Sequence, residues 1–292
     1  MRPEELGAAL ERVGYFADRD LVLSLFLALE LEKPLLVEGD PGVGKTEVAK
    51  AVAAVLGYPL IRLQCYEGLD EGKALYEWNY QRQLLRIQLL RDRPEPAAAE
   101  RDLFSEEFLL ERPLLKAIRS PGKTVLLIDE VDKSDPEFES FLFEVLSDFQ
   151  VSIPELGTVP ARQIPVVILT SNNERELSEG LKRRCLYQHL EFPDPVREAR
   201  IIAAKAPGAG EELAAQVAKA AAYLRTLDLR KKPSVAESLD WARALVALGH
   251  REVSPQAVEA TLSTALKHRA DQEQVAAAGG AGVIARRAGG ER

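Results

Sequence analysis

The sequence predicts an α/β domain on a parallel sheet, followed by a small all-helical second domain, and three observations carry that prediction. Short apolar runs alternate with helical stretches from the first strand signal at residues 34–38 up to Pro193. The first of these runs leads into a glycine-rich turn and then a helix, the layout of a strand–loop–helix unit. From Asp194 onward the strand signals stop and only helical patterns continue.

Residues 20–31 read as a helix leading into the first strand, 34–38, which is short and apolar enough to be buried in a parallel sheet. After the turn, Val48, Ala49, Val52, Ala53 and Leu56 recur at helical spacing, with Gly57 as the stop. Further strands are expected at 60–64, 123–128, 165–170 and 185–192, the last ending at Pro193. Residues 1–193 thus form the α/β domain. Helices at 195–205, 211–227, 234–248 and 254–269 fill a second domain over 194–274, where Ser234 and Glu237 make a capping-box pair and Ser254-Pro255 a good helix start. Residues 275–292, rich in alanine and glycine, read as a mobile tail.

Composition limits the function classes. With 292 residues, 46% of them hydrophobic, the chain has material for two cores; its net charge is −8 and its pI about 5.2. No global positive field draws it to nucleic acid, which makes nucleic acid an unexpected partner. Cys65 and Cys185 lie far apart without a Cys-x-x-Cys partner and read as buried thiols of a reduced compartment. His189, His250 and His268 form no ligand pattern. The charged N-terminus has no signal-peptide core, and residues 21–31 are too short to span a bilayer; a soluble cytoplasmic protein without membrane insertion is expected.

The chemistry begins at Gly39-Asp40-Pro41-Gly42-Val43-Gly44-Lys45-Thr46, a match to G-x-x-x-x-G-K-[ST]. Glycines let backbone N–H groups curl toward phosphate oxygens, and the helix N-terminus adds positive dipole. Lys45 is expected to reach the β- and γ-phosphates of a nucleoside triphosphate and the Thr46 hydroxyl to ligate Mg²⁺. The run ending in Asp129-Glu130 places Asp129 to hold Mg²⁺ through water and Glu130 to polarise the attacking water. Asn172, with Asn173 second, puts an amide at the end of another buried strand, where ligands of such sheets sit. Arg183-Arg184, after a short helix, read either as solvated charges or as arginine fingers for a neighbouring subunit's γ-phosphate.

In that order along the chain, the loop, the Asp-Glu strand, the Asn-ended strand and the arginine pair resemble the AAA+ ATPase pattern, over residues 10–270. More narrowly, the segments 63–70, 74–84 and 231–241 resemble the MoxR family and its CoxD-like group, ATPases for carbon monoxide dehydrogenase maturation. The resemblance implies a P-loop NTPase αβα sandwich with strand order 5-1-4-3-2, a helical lid, and a homo-oligomeric ring, usually a hexamer, with fingers acting in trans. It implies Asn172 as sensor 1, Gln64 as the residue orienting Glu130, and Tyr15 and Phe16 beside the adenine. It also implies a chaperone-like remodelling motor with a von Willebrand A-domain partner and a client metalloenzyme. The chain departs from the pattern at Pro233-Ser234-Val235, where many relatives carry a sensor-2 arginine; Arg230, Lys231 or Lys232 takes that role, or none does.

Two segments stay open to two readings, and a third reads as structure. Residues 150–160 have hairpin character, as a pore-facing element or a plain surface hairpin. Tyr76, Trp78 and Tyr80 interleave with Arg82, Arg86, Arg91 and Arg93, as in a single-strand nucleic-acid groove; helical spacing of Leu75, Trp78, Arg82, Leu85 and Leu89 favours a packed helix face. Phe138, Phe141, Leu142, Val145, Leu146 and Phe149 form a core stripe. The alternatives to the remodelling motor are a DNA-handling motor of helicase or clamp-loader type and a nucleotide-dependent switch.

Overall fold

The computed structural model describes residues 1–90 and 103–290. Its centre is a five-stranded sheet in the order β2 (Leu60–Gln64), β5 (Val125–Asp129), β8 (Val166–Ser171), β1 (Leu35–Gly39), β9 (Leu186–Leu190). Read from β9, these are the fifth, first, fourth, third and second predicted strands, the order 5-1-4-3-2. The β2–β5, β5–β8 and β8–β1 pairs are parallel. Every residue of β1 and β5 is buried, because helices cover both faces of a parallel sheet. Parallel pairing also brings strand ends together: Gln64 stands opposite Asp129, and Glu38 opposite Ser171.

The chain divides into two compact units. The first comprises Met1–Leu6, Arg19–Glu38 and Thr46–His189; the second comprises Gly7–Asp18, Gly39–Lys45 and Leu190–Arg292. The change to the second unit at Leu190 falls three residues before the expected boundary at residue 193, and 7–18 and the loop 39–45 group with the C-terminal helices.

In the first unit, Pro136–Asp148 forms the expected helix, with Pro136 at its first turn and Phe138, Leu142, Val145 and Leu146 in the core. Phe141 and Phe149 are only partly buried, and Phe149 ends the helix in left-handed geometry (φ 48°). The hairpin reading of 150–160 holds: β6 (Gln150–Ile153) pairs antiparallel with β7 (Gly157–Pro160). The packed helix face over 75–93 is overturned. Tyr76–Trp78 is a strand, β3, paired with β4 (Leu109–Glu111), and the helix Tyr80–Leu90 starts after it. Asn79 makes the break, its side chain capping Arg82 N–H at 3.0 Å. Leu75 and Trp78 are buried from outside the helix, whereas Leu84, Leu85 and Ile87 are exposed; Arg91 and Arg93 lie outside the described residues.

The second unit packs its helices around Trp241, whose indole N–H donates to Thr261 Oγ1 at 2.8 Å. Arg225 and Glu198 are both buried there as a two-pronged ion pair at 2.6 and 2.7 Å. Arg225 also donates to Pro233 O at 2.8 Å and lies over the Phe192 ring at 4.5 Å. A buried charge without these partners would be strongly destabilising.

Residues 275–290 are helical, where composition predicts a mobile tail. Helices Arg269–Ala277 and Gly280–Gly289 contribute Val275, Ile284 and Ala288 to the second core, each essentially inaccessible. Alanine is the strongest helix former, and small side chains let this helix approach Gly210–Thr226 closely. Replacing Ile284 by Ala is expected to destabilise the protein by about 2–4 kcal/mol in chemical denaturation. A change near zero would mean that this helix contributes no core.

Candidate active site

The loop Gly39–Lys45 is shaped from within the second unit. Lys45 is only 6% exposed, and its ammonium donates to the carbonyls of Gly39 (2.7 Å) and Asp40 (2.9 Å), curling the loop on itself. Gly42 has φ +80°, and a Cβ there would lie 2.3 Å from Ser234 Cβ. Glycine is therefore required twice, for the left-handed backbone and for the close approach. At Gly39 an added Cβ would lie 2.3 Å from Leu190 O. Pro41, Val43 and Gly44 complete the turn before Lys45 opens the helix Lys45–Leu56.

In the first unit, Asp129 is the centre of a hydrogen-bond cluster. It is 1% exposed and accepts from Thr46 Oγ1 at 3.0 and 3.3 Å, from Thr170 Oγ1 at 2.5 Å and from the Arg62 guanidinium at 2.5 Å. The Thr170 hydroxyl in turn accepts from Glu130 N–H at 2.9 Å. Glu130 sits at φ 56°, ψ 51°, a left-handed conformation that costs a non-glycine residue about 1 kcal/mol or more. That turn swings its carboxylate off the strand, where it accepts from Gln64 Nε2 at 3.0 Å and Lys133 Nζ at 2.8 Å. The Glu130 hydrogen bond raises the Lys133 pKa. Asp129, Glu130, Thr46 and Gln64 are thus within one cluster.

Asn172 and Asn173 divide in conformation. Asn173 takes the left-handed turn position (φ 58°), its N–H bonded to Ser171 Oγ. Asn172, half-buried, donates its backbone N–H to Asp132 Oδ2 at 3.0 Å. Arg183 and Arg184 close the helix Glu179–Arg184 and also differ. Arg184 is anchored on Ser147 Oγ (2.5 Å), Gly180 O (2.8 Å) and the Phe143 ring (4.3 Å), while Arg183 is exposed.

In the second unit, Tyr15 and Phe16 follow the helix Pro3–Arg12; Arg200 lies 4.6 Å over the Phe16 ring, and Tyr15 N–H donates to Leu10 O. At the departure from the arginine pattern, Val235 is buried and Ser234 caps the helix Val235–Ala247. Buried Asp271 accepts the backbone N–H groups of Arg230 (2.7 Å) and Lys231 (3.2 Å), leaving the side chains of Arg230, Lys231 and Lys232 exposed.

The donor set near Thr46 fits a hard divalent ion. A hydroxyl and a carboxylate are the ligands Mg²⁺ takes alongside substrate phosphates, and Arg62 shows that a cation is already tolerated at Asp129. Sequence reasoning missed Arg62, Thr170, Asp132 and Lys133. Arg62 was within reach of it: residues two apart on a strand share a face, so Arg62 had to project beside Gln64. Lys133 lies three residues after Glu130, one turn away. Among the described residues no cluster of three or more His, Cys, Asp or Glu could hold a metal by itself, and no helix is long and apolar enough to cross a membrane.

A parallel sheet with a phosphate loop after β1 and paired acids after β5 defines a P-loop nucleotide-binding α/β protein. The chain matches the ATPase family associated with various cellular activities (AAA) over residues 35–194, and it belongs to that family. It is 25% identical to an uncharacterized protein of Staphylococcus aureus (strain USA300) over 226 residues, 75% of this chain and 78% of the relative. An uncharacterized protein of Staphylococcus epidermidis is 24% identical over 256 residues, 84% of this chain and 89% of the relative. Midasin of Giardia intestinalis is 46% identical over 43 residues, 15% of this chain and 1% of Midasin. Among solved structures, the RuvB Holliday junction branch migration motor of Thermotoga maritima is similar, with a TM-score of 0.47 and 18% identity. That match covers 84% of this chain and 67% of RuvB.

Both cysteines are free thiols, Cys65 buried and Cys185 half-buried. Burial pushes the Cys65 thiol from 9.0 up to about 12, and the nearby charges of Asp129, Asp132 and Glu130 push the same way. Burial also raises Cys185 to about 12, against the opposing Arg184 charge. Below 9 both thiols stay protonated, folded or unfolded. Above it the unfolded thiols ionise first, so stability is expected to fall as pH rises from 9 toward 12. The Cys65→Ala/Cys185→Ala variant should show a shallower fall in melting temperature over that window. Equal slopes would refute the assignment.

Proposed function

We propose that this AAA-family chain is a Mg²⁺-dependent ATP hydrolase of MoxR type that works as a ring, with a site shared between neighbouring subunits. The observation that carries the reading is the division of labour at the end of β5. Asp129 is tied inward to Thr46, and Glu130 is turned outward against Gln64. In this reading the loop Gly39–Lys45 cradles the phosphates and Lys45 exchanges its carbonyl partners for phosphate oxygens. Bound Mg²⁺ would neutralise β- and γ-phosphate charge, held by Thr46 and, through water, by Asp129. Glu130 takes the proton of the attacking water, with the Gln64 amide holding its carboxylate in line. Lys133 competes for the same oxygen, and its release would free Glu130 to act.

Asn172 then orients water or γ-phosphate, and Arg183 and Arg184 reach the neighbouring subunit's phosphate to stabilise transition-state charge. Tyr15 and Phe16 flank the adenine. The resemblance of segments 63–70, 74–84 and 231–241 to CoxD-like proteins supports a remodelling task, with a von Willebrand A-domain partner and a client metalloenzyme. The β6–β7 hairpin is the candidate client-facing element.

Glu130→Gln should retain ATP binding while lowering turnover at least about a hundredfold, as loss of a general base does. Unchanged turnover would remove Glu130 from catalysis. ATP-loaded Glu130→Gln rings should retain the client, which pull-down and protein identification would reveal.

In the trans reading, mixing Glu130→Gln subunits with Arg183→Ala/Arg184→Ala subunits should restore hydrolysis that neither shows alone. The single arginine variants would assign the finger, and no recovery in any mixture would refute the shared site. Salt-dependent DNA binding together with DNA-stimulated hydrolysis would instead identify a DNA-handling motor.

A further inference from the structure

We propose that the ion pair between buried Glu139 and half-buried Arg175 positions the arginine-bearing helix Glu179–Arg184, tying the arginines a subunit offers its neighbour to that subunit's own carboxylate strand end. The inference rests on the trans role of Arg183 and Arg184 proposed above.

The loop between Asn172 and the helix Glu179–Arg184 is stapled along its length to the segment that follows Asp129-Glu130. Asp132, two residues beyond Glu130 and nearly inaccessible, accepts the N–H groups of Asn172 and Glu174, both at 3.0 Å on Oδ2. Arg175, the next residue, donates to Ser134 O at 2.8 Å and meets Glu139 Oε1 at 2.5 Å. The other oxygen of Glu139 accepts Ser178 N–H at 2.9 Å, and Ser178 is the cap of the arginine helix. The helix itself is seated on Pro136–Asp148: a Cβ at Gly180 would lie 2.7 Å from Phe143, and Arg184 is held by Phe143 and Ser147. A shift at the strand end is thus passed through fixed bonds to Ser178, and from there to the arginines.

A joint built only for stability has no need of buried carboxylates, since a charge taken out of water costs free energy unless it is paired and hydrogen-bonded. This joint instead uses two buried carboxylates. Asp132 Oδ1 is buried without a hydrogen-bond partner among the described residues, and the Arg175–Glu139 Oε1 contact lacks hydrogen-bond alignment. Buried acceptors left without a donor are rare in a joint whose task is stability alone.

The test uses the complementing mixture described above, in which Glu130→Gln subunits donate arginines and Arg183→Ala/Arg184→Ala subunits hydrolyse. Glu139→Gln is placed in one partner or the other, and Arg175→Gln is run as a second variant in case the first folds poorly. In the donor, either change should lower the restored rate about tenfold. In the hydrolysing subunit, it should leave the rate within about twofold, with nucleotide affinity and melting temperature matching in both placements. Equal losses in both placements, or none in the donor, would overturn the positioning role. If the parent mixture shows no recovery, the trans reading fails first and takes this inference with it.

Discussion

The Asp129 carboxylate is the constraint on which the first unit's chemistry depends. It is removed from solvent at the end of a fully buried strand, and a charge in that place is tolerable only if its oxygens are occupied. Thr46, Thr170 and Arg62 occupy them, and these residues come from the helix after the phosphate loop, from β8 and from edge strand β2. One buried charge thereby sets the mutual position of two flanking strands and a helix. The Glu130 turn follows from the same cluster, because Thr170 bridges the Asp129 carboxylate and the Glu130 N–H.

A second buried charge organises the C-terminal helices in a similar way. Arg225 joins Glu198, Pro233, Ser238 and the Phe192 ring, so the turn entering Val235–Ala247 is held from three sides. Ser234, next to Pro233, is the residue against which Gly42 packs. The phosphate loop therefore rests on a turn that a buried ion pair holds in place. Val235, beside Ser234, is buried, and the exposed Arg230, Lys231 and Lys232 lie in a turn whose backbone N–H groups Asp271 holds.

Much of this was legible from residue order. Parallel strands were evident because uninterrupted apolar runs such as Val125–Asp129 suit only a sheet covered on both faces, and the loop and acid pair were evident because their chemistry needs fixed residue types at fixed spacing. The failures share a physical origin. Leu75, Trp78, Arg82 and Leu85 fit helical spacing, yet Asn79 breaks the segment into a strand and a separate helix, a local cap outweighing periodicity. The alanine- and glycine-rich C-terminus looked coreless because its few buried residues, Val275, Ile284 and Ala288, are spread among small and exposed ones and bury surface only when a neighbouring helix is close.

The sequence by itself determined the strand positions, the phosphate loop and the acid pair, since each depends on local composition and spacing, while the strand order followed only from the family resemblance that those motifs carry. Tertiary structure alone decided what completes those motifs. Arg62 on Asp129, Lys133 on Glu130 and Glu139 with Arg175 are meetings of side chains, Ser234 packs against the backbone of Gly42, and three of these four contacts bring together segments distant in the chain. The grouping of loop 39–45 with the C-terminal helices is of the same kind. Short-range chemistry is written in neighbouring residues, whereas the satisfaction of a buried charge depends on which distant strand or helix folding brings within about 3 Å.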